Sequence, residues 1–240
     1  MARLSLLVIQ GDKKNTKEKG DTSISKQAYT AIELFMHFFP KTEIDGAGKI
    51  TIHFCHKPDD KEQYFFSEYF KISYYYVDEN LSNNVSKLKT DDIDGFFLDV
   101  LENVLVDIAK KSGNMEVIPI ICSAVAEAKN TGYRLLIPIK KLSKQSPNRA
   151  YKAVTYRYLT PDGELDFIEI MDKAKEKHRY MVSNGYEKFP LEWYANKCEW
   201  IENRFVIKDR QDCVRAYVDA DIKEMYSMQN KNKTYSEFDL

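Results

Sequence analysis

The chain has 240 residues, of which 43% are hydrophobic and 30% charged, and 36 Lys plus Arg against 37 Asp plus Glu leave a formal charge of -1. Such a composition supports a folded core and excludes disordered and fibrous classes; the balanced charge excludes a chain-wide electrostatic footprint for nucleic acid, so any such binding has to be local. Nine glycines are roughly half the usual share of about 7%, which counts against glycine-rich nucleotide loops, whereas 2 Trp, 16 Tyr and 13 Phe point to aromatic strands and an aromatic interface.

The apolar run Leu4 to Ile9 lacks a following small-residue cleavage pattern and predicts a first strand rather than a leader. Asp12 to Asp21 is a charged loop. A helix from about Ser25 to Phe39, stopped by Pro40, gathers Ala28, Ala31, Ile32, Phe35, Phe38 and Phe39 on one arc and leaves His37 facing solvent. Lys49 to His56 and Gln63 to Val77 predict a hairpin across the polar turn Lys57 to Lys61, with Tyr64, Phe66, Glu68, Phe70, Ile72, Tyr74 and Tyr76 towards the core. Thr90 and Gly113 bracket a long helix of about residues 91–111, with acids at its start, Lys110 and Lys111 at its end and an apolar arc from Ile93 through Phe97, Leu101 and Leu105 to Ile108.

Beyond Gly113 the pattern predicts a strand over Met115 to Ile121, a short helix over Ser123 to Asn130 and a strand over Tyr133 to Ile139. Thr160-Pro161-Asp162-Gly163 is the clearest turn in the chain and joins Tyr151 to Leu159 with Leu165 to Ile170 as a second hairpin. Helices are then expected over Met171 to Val182 and Leu191 to Phe205, separated by Ser183-Asn184-Gly185, followed by a strand Cys213 to Val218, a short helix Asp221 to Met228 and a polar frayed tail, 229–240. These elements predict an α+β fold, with a mixed or antiparallel sheet built from hairpins at about 49–77 and 151–170, in a single domain spanning 1–228; the basic stretch at 143–148 is the best internal boundary.

Chemistry-bearing patterns are sparse. Cys55, Cys122, Cys198 and Cys213 are widely spaced with no C-x-x-C, which suits reduced thiols of a cytoplasmic protein rather than a zinc or redox motif. His53 and His56, three apart in a strand, point to opposite faces and cannot share one ion; His53 shares a face with Cys55, and His178 falls on an apolar helical stripe, so both read as structural and no metal or cofactor is expected. No nucleophile elbow, P-loop or zinc-deaminase pattern occurs, so no catalytic residue is assigned. Glu127-Ala128-Lys129 has the E-x-K order of metal-dependent nucleases, which would need a strand there and a nearby acid such as Asp107. No apolar run reaches the length of a membrane span.

Two features suit a binding surface. Lys140, Lys141, Lys144, Arg149 and Lys152 form a basic stretch uninterrupted by acids and leading into Tyr151, Tyr156 and Tyr158. On a helix from Leu191 to Phe205, Trp193 and Trp200 fall one heptad apart on the face opposite the apolar arc, with Arg204 nearby, as a partner anchor would. The expectation is a non-enzymatic cytoplasmic binding protein, in its most specific form an inhibitor or immunity-type protein that neutralises a bacterial toxin by occupying its surface. A metal-dependent nuclease or phosphate-processing enzyme is the alternative, and an RNA-binding module using the basic loop is the third reading.

Overall fold

A computed structural model describes residues 2–11, 22–55, 57–59, 61–78, 81, 85, 87–184 and 191–227. The fold is α+β, and by contact the chain divides into two compact units, 1–133 and 134–240. The expected boundary at 143–148 falls inside the second unit, where it forms a two-residue strand and a turn instead of a linker.

The first unit is built around a four-stranded mixed sheet of β1 (Leu6–Gly11), β2 (Lys49–Phe54), β3 (Tyr64–Ser67) and β4 (Ile72–Val77), in the order β1-β2-β4-β3. The 49–77 hairpin is corrected here: β2 and β4 run parallel, Lys49 opposite Ile72 and Phe54 opposite Val77, and the antiparallel hairpin is β3 with β4. The long strand expected from Gln63 breaks at the turn 68–71, where Lys71 takes a positive φ of 52°. That break gives β3 the length of a short edge strand paired to β4, while β2 lies between β1 and β4.

One face of this sheet carries Leu7, Ile9, Ile50, Ile52, Phe54, Tyr75 and Val77, all buried. It packs under helices α1 (Thr22–Gln27), α2 (Tyr29–Phe38) and α3 (Thr90–Ser112), with the Phe54 and Phe97 rings 5.9 Å apart and the Tyr75 hydroxyl donating to Asp107 at 2.8 Å, and α4 (Ile118–Asn130) packs against α2 and α3. Helix α3 ends as its sequence dictates. Gly113 enters the left-handed region at φ 77°, and the amides of Gly113 and Asn114 close on the carbonyls of Lys110 and Ala109. Its start differs from expectation: Lys89 is the N-cap and supplies no side-chain cap. Met115 to Ile121 is helical and not a strand, because Pro119 sits in the first turn of α4, where its missing N–H costs nothing.

Asp94 is the unusual core residue of α3, 3% exposed on the buried arc. It accepts a hydrogen bond from the amide of Ala31 in the first turn of α2, so a carboxyl from one helix caps another. Burial dominates over that bond and pushes the Asp94 carboxyl up to about 7.

The second unit is two antiparallel sheets sharing one core. Strands β5 (Leu135–Pro138), β7 (Lys152–Thr160), β8 (Gly163–Met171) and β9 (Lys177–Asn184) form the first, with β6 (Lys144–Gln145) also paired to β7; β10 (Ala195–Ile201), β11 (Arg204–Asp209), β12 (Val214–Asp219) and β13 (Glu224–Ser227) form the second, in sequential order. The predicted 151–170 hairpin is present, closing as Thr160 opposite Gly163 at φ 119°. Three helical expectations are corrected. Residues 171–182 belong to the end of β8 and to β9, 221–228 gives way to β13, and 191–205 is a four-residue helix α5 (Leu191–Tyr194) followed by β10 and the start of β11. Ile168, Ile170, Tyr180 and Val182 from one sheet meet Trp200, Phe205, Ile207, Ala216 and Val218 from the other, and that shared burial outweighs local helix propensity. Asp12 to Asp21, His56, Gly185 and the 229–240 tail lie outside the described residues.

Candidate binding surface

The two tryptophans part company. Trp200 is 9% exposed, stacks on Tyr151 at 6.0 Å, meets Phe205 at a tilt with ring centroids 5.4 Å apart, and donates its Nε1–H to the Lys144 carbonyl at 3.0 Å, so it is core. Trp193, on α5, is 66% exposed. The shared face expected of them is corrected because β10 replaces the helix, and an extended chain does not bring positions seven apart onto one turn-aligned stripe.

Through Trp200 the structure nevertheless joins the basic stretch to the β10–β11 hairpin. Lys144 lies in β6 beside β10, Tyr151 covers Trp200, and the Asn148 amide approaches the Asn203 side chain at 3.5 Å in the hairpin turn. Lys140, Lys141, Lys144, Arg149 and Lys152 are all exposed along this margin. Asn203 and Tyr151 both donate to Asp221, at 2.8 and 3.0 Å, which fixes the turn relative to the loop.

Arg204 opens onto a surface that the helical reading conceals. In the second sheet Phe205, Ile207, Ala216, Val218 and Met225 face the core, so the alternate residues form the outer face. Register places Val206, Tyr217 and Tyr226 in one row across β11, β12 and β13, and Ile201, Arg204 and Asp219 in the next. The Tyr217 and Tyr226 rings stack at 5.4 Å, and the Arg204 guanidinium lies 4.7 Å over Tyr217 while pairing with Asp219 at 3.1 Å. Lys208 pairs with Glu199 at the far side. These groups line a shallow concavity of about 750 Å³, and Ile201, Val214 and Tyr226 on it stay substantially exposed. The signal for this face in the sequence is the period-two alternation of Arg204, Val206 and Lys208 and of Tyr217 and Asp219, which is visible only once β11 and β12 are read as paired strands.

A second cluster sits inside the unit. Arg157 faces Asp166 across β7 and β8 and pairs with Glu164 at 2.7 Å, all three largely buried. Asp166 Oδ2 accepts from the Ser183 hydroxyl at 3.0 Å and the Leu191 amide at 3.1 Å, so the carboxyl ties β8 to β9 and to the start of α5. Burial first, then the neighbouring Glu164 charge, push it up to about 7. At 2% exposure, Oδ2 is held by the chain's own backbone and hydroxyl while Oδ1 has no hydrogen-bond partner among the described residues, so the carboxyl pins the three elements through Oδ2.

The remaining sequence candidates resolve as follows. Glu127 and Lys129 lie on helix α4 instead of the strand that an E-x-K site requires, and Lys129 pairs with Asp99 at 2.6 Å. Asp107 is held by Lys111 at 2.6 Å and by Tyr75; burial raises its pKa, but the Lys111 and Tyr75 hydrogen bonds and the nearby lysine charges outweigh it and keep the carboxyl below its ordinary value. His178 stands on β9, part-buried, and His37 is exposed on α2. His53 is stacked between tyrosines of β4. Among the described residues, no three His, Cys, Asp or Glu side chains converge as a metal site, and no helix is long and apolar enough to cross a membrane. Neither models of protein families, nor curated proteins, nor solved structures give a match to this chain.

Proposed function

We propose that this chain is a non-enzymatic cytoplasmic binding protein whose second unit occupies the surface of a protein partner, and in its most specific form an immunity-type inhibitor that neutralises a bacterial toxin. The observation that carries the reading is Arg204 stacked on the Tyr217–Tyr226 pair inside a concavity of about 750 Å³, with exposed Ile201 and Val214 at its rim. Arginine and tyrosine in a recess that a partner desolvates are the residue types that dominate interface energetics. The adjoining lysines add a cationic margin suited to steering an acidic partner.

Co-expression with the product of the neighbouring gene tests this directly. A one-to-one complex on gel filtration is expected, with the partner's toxicity suppressed. Tyr226→Ala with Arg204→Glu should abolish the complex while thermal unfolding of the chain alone stays in place, because both side chains lie on the outer face. A complex indifferent to those changes would remove this surface from the interface, and a partner whose toxicity persists in the complex would remove the inhibitor reading.

A further inference from the structure

The first unit carries a separate surface. Among the described residues, helices cover one side of its sheet, and the opposite side presents Leu6 and Val8 of β1, Thr51 and His53 of β2, Tyr74 and Tyr76 of β4 and Phe65 of β3. Aromatic rings dominate it. Phe65 stacks on Tyr74 at 6.3 Å, Tyr74 on His53 at 6.0 Å and His53 on Tyr76 at 5.2 Å, with interplanar angles of 23°, 20° and 19°. The rings thus form one near-parallel series that ends at the edge strand, where Phe65 is 53% exposed. Just past that edge, at the β3–β4 turn, Tyr69 and Phe70 are 88% and 66% exposed and meet edge to face at 4.8 Å.

We propose that this ring series is a stacking platform for single-stranded nucleic acid, the bases adding onto the open end at Phe65 and the phosphates following the flanking lysines. Two observations point to that occupant. A near-parallel ring series with one free end accepts another flat π-system in the same orientation, and every base offers one. Burial first, and then the charges of Lys61 and Lys49, hold the His53 imidazole below its ordinary pKa, so the ring within the series stacks as a neutral group with two cations near it. Beneath the row, the Thr51 hydroxyl, on a residue 3% exposed, has no hydrogen-bond partner among the described residues.

The reading is independent of the protein-binding face, because it uses only residues of the first unit. Its test is fluorescence anisotropy of the full chain with labelled single-stranded oligouridylate and oligothymidylate of about ten nucleotides, which is within the range of a single small platform. Binding is expected, weakening about sevenfold between about 50 and 200 mM salt if the two lysines neutralise phosphates. Phe65→Ala should cost about tenfold or more at fixed salt, and Phe65→Tyr should restore it; both are surface changes that leave folding intact, and Trp193→Ala in the other unit should change nothing. Lack of binding, or binding that survives Phe65→Ala, overturns the proposal. So does equal affinity for dextran sulfate, which carries charge without bases. If no oligonucleotide binds while Phe65→Ala breaks a complex with a protein, the face belongs to a protein partner and the nucleic-acid assignment falls.

Discussion

The two units solve the problem of burying a sheet face differently. In the first, a mixed sheet lies under helices whose periodicity, ends and charges agree locally, and the other sheet face carries an aromatic row that no helix covers among the described residues. In the second, two antiparallel sheets close on each other, every core face is covered by strands distant in sequence, and the exposed chemistry moves to the outside of β10–β13. The difference teaches where function can be grafted. A helix-covered sheet leaves its second face open to a ligand, whereas a sheet pair offers only its outer faces and its loop ends.

The same contrast sorts the expected effects of mutation, and the largest separates the two tryptophans. Trp200→Ala should lower stability by about 3–5 kcal/mol, since it removes a core ring, its stack on Tyr151 and the bond to the Lys144 carbonyl, while Trp193→Ala should stay within about 0.5 kcal/mol. Urea midpoints of the two variants measure this; comparable losses would mean that Trp193 is as central as Trp200.

Each unit buries one carboxyl with a raised pKa, Asp94 in the first and Asp166 in the second, both near 7 against 3.8 in an unfolded chain. Below about pH 4 both folded and unfolded states hold the proton. From there to about pH 7 only the folded state does, so stability should fall as pH rises by about 1.4 kcal/mol per pH unit for each group, and level off above pH 7. Asp94→Asn and Asp166→Asn should each remove one group's share of that slope in a pH series of unfolding curves. If a single substitution flattened the whole slope, the other carboxyl would be ionised in the fold.

Smaller effects belong to the helical unit. Gly113→Ala should cost about 1 kcal/mol, because an alanine at φ 77° meets no neighbour but bears the left-handed strain itself. A melting shift beyond what strain supplies would show that the C-terminus of α3 is packed more tightly. Asp107→Asn should cost less than about 1 kcal/mol, since the Lys111 pair is partly exposed and an asparagine still accepts from Tyr75; guanidinium titration of the variant checks it.

How far the sequence could be read follows the same division. Helix α3, Gly113 as its stop, the helical run ending before Pro40 and the Pro-Asp-Gly hairpin turn were all legible, because each is set by residues within one or two turns of one another. The candidate surface was legible in part: Arg204 and the lysines of 140–152 were marked, but Tyr217, Tyr226 and Ile201 were not. Their grouping depends on β11 pairing with β12 and β12 with β13, and a helix drawn through Leu191 to Phe205 hides that register. Tyr74 and Tyr76, expected towards the core, lie on the opposite face while Tyr75 and Val77 are buried, because the parallel pairing of β2 with β4 is not a property of either segment.

By itself the sequence determined the α+β class, the long amphipathic helix with its ends, the 151–170 hairpin and the absence of a recognised catalytic motif, since composition, 3.6-residue periodicity and turn chemistry are local quantities. Tertiary structure alone decided that β2 and β4 run parallel, that residues 195–201 extend instead of coiling, that Trp200 goes inside, and which side chains meet on the outer face of β10–β13. Those outcomes rest on burial shared between segments far apart in the chain, and the free energy of such burial exceeds the few tenths of a kcal/mol by which a local stretch prefers helix or strand.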